Sequence, residues 1–109
     1  MAVEARRFDR YVLVTAVGEF DVYSSPRLRE VLANQPADIG LIVDLTGVSF
    51  LDSTVLGILV GAFKRARSDG GWVRLVCDNE RILKVFRITG LVGVFEIWPT
   101  VEDAAREPG

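Results

Sequence analysis

The sequence predicts an α/β domain in which a small mixed β-sheet is packed against α-helices. The chain has 109 residues, about the length of one domain, and half of them are hydrophobic, enough to build a core. Apolar, β-branched runs alternate with segments of helical periodicity in the order β-β-α-β-α-β-α-β-α. Strands separated by helices imply right-handed parallel crossovers. We therefore expect a single domain over residues 1–109.

The first third of the chain is predicted to form a hairpin and a helix. Residues 11–17 are mostly apolar and β-branched, as in a buried strand, and residues 3–7 partly alternate apolar with charged side chains. Two serines precede Pro26, which suits a first helical turn because proline has no N–H to leave unpaired there. We expect a helix over residues 26–34, after a loop over residues 18–25.

The middle of the chain is predicted to contain a central strand and the longest helix. Residues 41–43 are fully apolar, which is typical of a strand covered on both faces. Residues 45–51 are expected to be a connecting loop. The helix then runs from Asp52-Ser53-Thr54 to about residue 68, and its first half is apolar nearly all round. Leu59 and Phe63 are expected in the core.

The last third is predicted to add two strands and two helices. Residues 72–77 form an apolar strand, and Asn79 caps a helix that ends before Gly90. Residues 94–97 are expected to be a short strand and residues 101–106 a terminal helix. In that helix an acid and a base four residues apart, Glu102 and Arg106, give a small added stabilisation.

Two glycines in the long helix do not form a nucleotide-binding motif. Gly57 and Gly61 lie within a helix, not after a strand, and lack the lysine-serine ending of a phosphate-binding loop. We interpret them as small residues that let a neighbouring strand or helix approach closely.

Composition excludes several classes of function. The chain has 13 Lys and Arg against 15 Asp and Glu, so it lacks the excess of positive charge that is typical of proteins that bind nucleic acids. We therefore expect no nucleic-acid partner. It has no histidine, which removes the Ser-His-Asp triad and most zinc sites, and its acids do not have the spacing of a metal loop. These absences exclude much of enzyme chemistry, and we expect no metal site.

The same composition predicts the compartment. Cys77 is the single cysteine and cannot form an internal disulfide, which favours a reducing cytoplasm. No apolar run approaches the roughly 20 residues that span a bilayer, so no membrane partner is expected.

Two loops are expected to share one surface. Each loop, residues 18–25 and residues 45–53, follows an apolar strand. Parallel strands place their carboxyl ends at one edge of the sheet, and α/β domains usually bind their ligands at that edge. Four acidic residues lie near strand ends, Glu19, Asp21, Asp44 and Asp52. Within Asp52-Ser53-Thr54, one interpretation is a helix cap worth about 1 kcal/mol. The other is that Ser53 accepts a phosphate, which free N–H groups at the helix start would stabilise.

Three segments of this sequence resemble those of one bacterial family. Residues 18–28 resemble the segment G-E-(I/L)-D-x-x-(S/T)-(A/S)-P-x-L of anti-sigma factor antagonists, which are single STAS domains. Residues 43–54 resemble the strand, loop and phosphoserine block of that family, and residues 88–91 resemble its (S/T)-G-L segment. The resemblance covers about residues 3–106.

The resemblance implies a regulator that exchanges partners, which is a substrate and a binding module. We therefore expect no catalytic residue and no cofactor, and we expect that the protein is not an enzyme. Unphosphorylated, such a domain binds an anti-sigma factor that is also a serine kinase and so frees a sigma factor. The kinase phosphorylates the serine at the position of Ser53, and a serine phosphatase restores it. The family usually has glycine where this chain has Val55, whose branched side chain is expected to narrow the kinase's approach. The residues expected to bind the partner are Glu19, Asp21, Tyr23, Ser24, Ser25, Asp52, Thr54 and Val55.

A different class of function stays open at this point. The chain could be a STAS subunit of a lipid-transport complex or a ligand-sensing STAS module. In either case Ser53 would be only a helix cap.

Overall fold

The computed structural model describes residues 1–106 and shows a five-stranded mixed sheet with four packed α-helices in that part of the chain. Strands follow chain order across the sheet, β1-β2-β3-β4-β5; β1 and β2 are antiparallel and the remaining neighbours are parallel. This confirms the predicted fold class and order. The elements are β1 (Ala2–Arg7), β2 (Tyr11–Phe20), α1 (Ser25–Ala33), β3 (Gly40–Leu51), α2 (Ser53–Asp69), β4 (Trp72–Val76), α3 (Glu80–Ile88), a 3-10 turn (Leu91–Gly93), β5 (Glu96–Trp98) and α4 (Val101–Arg106).

Strands β2 and β3 are longer than predicted, and the expected loop over residues 45–51 is wrong. That segment continues β3 and pairs with the end of β2, as far as Phe20 opposite Leu51. The pairing shifts register twice, which is typical of β-bulges. Because the bulges interrupt the two-residue alternation, the apolar residues of this segment do not show the periodicity of a strand. The structure therefore extends both strands to the edge where α1 and α2 begin.

The core lies mainly on one face of the sheet. Central-strand residues Val14, Val43 and Leu75 are fully buried beneath the helices, and Leu59 of α2 is likewise fully buried, as predicted. Phe63 is half-buried at the border of this core, where its ring meets Phe95 edge-on at 5.5 Å. Helix α2 therefore supplies much of the interior and is fixed in position.

The second face of the sheet is covered in part by α4. Arg74 of β4 is buried, and its Nη1 donates to the carbonyl of Ala104 at 3.0 Å. Its guanidinium lies 4.1 Å from the ring centre of Trp72 and 3.7 Å from the carboxylate of Glu96. A buried cation is stable only with such partners, so Arg74 fastens the C-terminal helix to the sheet.

Candidate functional site

The ends of strands β2 and β3 meet at the carboxyl edge of the sheet. Glu19 lies opposite Phe50 and Phe20 opposite Leu51 in the β2–β3 pairing. The segment that follows β2, residues 21–24, therefore starts beside the β3–α2 turn. We call residues 19–24 together with residues 52–54 the switch edge.

Asp21 organises the loop between β2 and α1. Its Oδ1 accepts the backbone N–H of Tyr23 at 2.9 Å and that of Ser24 at 3.1 Å. Those bonds favour the charged carboxylate and lower the pKa of Asp21 below its ordinary value of 3.8, the bond from Ser24 contributing most. In return the Asp21 N–H donates to Ser24 Oγ at 3.0 Å. This exchange holds the loop in one conformation, with Tyr23 90% exposed at its tip.

Asp52, not Ser53, caps helix α2. The Asp52 carboxylate accepts the N–H groups of Thr54 at 3.0 Å and Val55 at 3.3 Å. Ser53 is the first residue of the helix and is exposed to solvent. The Ser53 hydroxyl is therefore accessible and is not needed as the cap.

The capping bonds engage part of the donor set that was expected to surround a phosphate on Ser53. Two N–H groups of the first helical turn, those of Thr54 and Val55, already bond to Asp52. Asp52 directly precedes Ser53, so a phosphate there would add negative charge next to a residue that already carries a carboxylate.

Two residues expected to touch the partner are buried. Ser25 and Val55 are each 1% exposed. The Val55 side chain packs in the core one turn before Leu59, so it does not narrow the approach to Ser53 as expected. Both residues can affect the switch edge only through their packing beneath it, and not by touching a partner. Glu19 and Tyr23 are exposed, while Asp21, Ser24, Asp52 and Thr54 are partly exposed.

A groove between α1 and α2 leads away from Ser53. It has a volume of about 460 Å³, and Gly57 and Gly61 are exposed along it. A Cβ atom on either glycine would meet nothing within 4 Å, so the prediction that they allow close packing is wrong. Ser53, Gly57 and Gly61 are spaced four residues apart, so they lie one above the other on the same face of α2. This face carries no large side chain at those three positions. The groove is lined by Arg29, Leu32, Ala33, Ser53, Thr54, Gly57, Ile58, Gly61, Ala62 and Arg65.

Arg65 fixes the far end of this groove. Its Nη2 donates to the carbonyl of Leu32 at 2.7 Å, which satisfies one of the last carbonyls of α1 and ties the two helices together. The groove is therefore a shaped surface between two anchored helices. Sequence reasoning missed it, although the spacing of Ser53, Gly57 and Gly61 was a usable signal.

Residues 1–106 lack the features of several other kinds of site. Residues 1–106 contain no group of three or more His, Cys, Asp or Glu side chains placed to hold a metal ion. Cys77 is buried, and its burial raises the pKa of the thiol, so it stays protonated and unreactive. No helix in this part of the chain has both the length and the apolar character to cross a membrane.

Comparison with known proteins gives consistent results. The STAS domain family matches residues 2–104. The chain is 41% identical over 98 residues to the anti-sigma-B factor antagonist of Bacillus subtilis (strain 168), covering 87% of this chain and 88% of the relative. It is 35% identical over 100 residues to the protein of that name from Listeria monocytogenes, covering 89% of this chain and 88% of the relative.

Solved structures show the same fold. The crystal structure of an anti-sigma factor antagonist from Mycobacterium paratuberculosis superimposes with a TM-score of 0.84 at 27% identity, over 95% of this chain and 90% of that chain. The phosphorylated form of the Bacillus cell fate determinant SpoIIAA superimposes with a TM-score of 0.74 at 24% identity, over 95% of this chain and 96% of that chain.

Proposed function

The chain belongs to the STAS domain family, and from that premise we propose that it is an anti-sigma factor antagonist controlled by phosphorylation of Ser53. In its unphosphorylated form it binds an anti-sigma factor and thereby frees a sigma factor. The relatives of known name support the role. The observation that carries the proposed control is an exposed serine at the start of a helix that Asp52 already caps.

In this proposal the chain is a substrate and a binding module. The anti-sigma factor is also a serine kinase and holds ATP. The Ser53 oxygen attacks the terminal phosphorus of that ATP, a new P–O bond forms, the bond to ADP breaks and the hydroxyl proton leaves. A serine phosphatase later returns the hydroxyl. An exchange that uses ATP and acts on a transcription factor belongs in the cytoplasm.

Charge supports release after phosphorylation. A phosphoserine carries about 1.5–2 negative charges at neutral pH. On Ser53 it would follow the Asp52 carboxylate directly in the chain, with Glu19 at the end of the adjacent strand β2 and Asp21 on the loop after it. Burying that charge against a partner without a matching cation is expensive. The phosphorylated form should therefore stay folded and lose its partner.

The exposed features of the switch edge support docking there. Tyr23 presents an aromatic ring that is 90% exposed, a residue type that often dominates binding energy. The groove beside Ser53 offers a concave surface between α1 and α2. We propose that the kinase contacts Glu19, Asp21 and Tyr23 and places its ATP near Ser53.

The alternative roles predicted from sequence assigned Ser53 only a capping function. Because Asp52 fills that function, the alternatives lose the reason they gave for a serine at this position. No feature of residues 1–106 favours a lipid-transport subunit or a ligand sensor over the antagonist.

The test is phosphorylation by a cognate anti-sigma kinase with ATP, followed by intact-mass measurement. Wild type should gain the mass of one phosphate, and Ser53→Ala should gain none. Thr54→Ala, which removes the neighbouring hydroxyl, is the matched control and should still be modified. Modification of Ser53→Ala, or failure of wild type with a kinase that binds it, would refute Ser53 as the acceptor.

A further inference from the structure

Strand β1 presents an open edge of the sheet. Within residues 1–106 the strand order is β1-β2-β3-β4-β5, and β1 has a neighbouring strand on one side only. All its residues except Val3 are exposed. An unpaired edge offers backbone N–H and C=O groups to another strand.

The hairpin turn defines which backbone groups face outward. The Phe8 N–H donates to the carbonyl of Tyr11 at 2.8 Å, so these two residues form a hydrogen-bonded pair. Hydrogen-bonded and non-hydrogen-bonded pairs alternate along antiparallel strands. With the observed register, alternate residues of β1 bond to β2 and the others point their N–H and C=O groups away from the sheet. The outward residues are Val3, Ala5 and Arg7.

We propose that β1 pairs with β1 of a second copy of this chain, antiparallel, with Ala5 facing Ala5 across a two-fold axis. In this register Val3 of one copy faces Arg7 of the other, so the outward N–H groups of both strands meet outward carbonyls. An isologous contact of this kind closes as a dimer, since each copy uses the same patch.

Side-chain charge selects this register over its neighbours. Glu4 of each copy lies directly opposite Arg6 of the other, in non-hydrogen-bonded pairs where side chains are closest. A two-fold axis at Glu4 would face two carboxylates, and one at Arg6 would face two guanidinium groups. Charged side chains on an edge strand usually discourage pairing with another strand. In β1 the opposite charges of Glu4 and Arg6 flank Ala5, so they attract across an axis at Ala5.

The surroundings of β1 leave room for a second copy. A groove of about 730 Å³ lies between β1 and α1, with Val31 of α1 in its lining, and every residue of β1 except Val3 is exposed. Ala5 is small and exposed at the proposed axis. Arg6 lies 5.4 Å from the ring centre of Phe8, on the sheet face that Glu4 of the second copy would join.

The proposed interface lies apart from Ser53. Strand β2 lies between β1 and β3, and Ser53 follows β3. Dimerisation would leave Ser53 open to a kinase, so this inference does not depend on the proposed function. Two switch edges on one dimer would allow two partners to bind at once.

The test is a concentration series of the full chain by sedimentation velocity at low salt. The mass should rise from 12.0 kDa toward twice that value. Glu4→Arg and Arg6→Glu should each lose the dimer, and the double exchange should restore it. Ala5→Pro should also be monomeric while keeping its circular dichroism spectrum, because the N–H that it removes points away from β2. A mass of 12.0 kDa at every concentration, or a double exchange that stays monomeric, would overturn the proposal.

Cross-linking tests the register independently. Facing residues in a hydrogen-bonded pair have Cα atoms about 5.5 Å apart, within disulfide range. Ala5→Cys should therefore form a cross-linked dimer on mild oxidation. Glu4→Cys should form one much more slowly, because residue 4 of one copy faces residue 6 of the other and is only diagonally across from residue 4. The native Cys77 is buried and does not compete. Equal rates for the two variants would refute the proposed axis.

Discussion

The assignment of the helix cap to Asp52 leads to a sharp prediction about stability. Its carboxylate bonds to two N–H groups of the first turn of α2. Replacing such a cap with alanine typically costs about 0.5–2 kcal/mol, and loss of the charge at the helix start costs about 0.3–1 kcal/mol. We expect Asp52→Ala to lower the free energy of unfolding by about 1–2 kcal/mol. In a domain of about 100 residues that is a fall in Tm of roughly 5–10 °C.

The neighbouring serine is the matched comparison. Ser53 is exposed, and alanine is a good helix former, so Ser53→Ala should change stability by less than about 0.5 kcal/mol. Asp52→Asn keeps the capping oxygen and should lose only the charge contribution, about 0.3–1 kcal/mol.

Urea unfolding monitored by circular dichroism measures all three variants under one condition. If Ser53→Ala lost as much stability as Asp52→Ala, the serine would be part of the cap. The assignment of the helix cap to Asp52 alone, with Ser53 free to accept a phosphate, would then be wrong.

Three further predictions follow from the packing, the groove and the loop. Leu59→Ala should cost about 2–5 kcal/mol in unfolding experiments, because the residue is fully buried in the core; a loss below about 1 kcal/mol would contradict that placement. Gly57→Ala should raise stability by about 0.5–1 kcal/mol, because its Cβ meets nothing, and yet weaken kinase binding in calorimetry; unchanged binding would show that the partner does not use the groove. Asp21 has a lowered pKa, so its contribution to stability is complete above pH 3.8 and is lost as the pH falls through its folded pKa. The stability difference between wild type and Asp21→Asn should therefore shrink below pH 3.8 in acid unfolding, and a difference independent of pH would contradict the Asp21 bonds.

Element order and most helix boundaries could be predicted from local chemistry. Helix α2 begins after Asp52 and ends at Gly70, whose φ of 89° is the left-handed conformation that favours glycine. Both signals are local, so they are visible in the sequence. The second half of β3 could not be predicted, because its bulges depend on pairing with β2 and break the alternation of apolar residues.

The candidate site was predictable in outline but not in its details. Apolar strands ending near Glu19 and Asp52 indicate one edge, and the structure brings their ends together. Which residue of Asp52-Ser53-Thr54 caps the helix depends on backbone angles that the residue types leave open. The expectation that Gly57 allows close packing was wrong for a similar reason. The residue types do not show which face of α2 packs against a neighbouring element, and Gly57 lies on an open face.

We propose that phosphate on Ser53 controls partner binding, and the most direct test is the affinity of one anti-sigma kinase for both forms of the chain. We predict that phosphorylation weakens binding by about a thousandfold, which corresponds to about 4 kcal/mol, while the circular dichroism spectrum stays that of the folded domain. Ser53→Ala should bind as wild type does and should not be released by ATP. Equal affinity of the kinase for the phosphorylated and unphosphorylated forms would contradict the account.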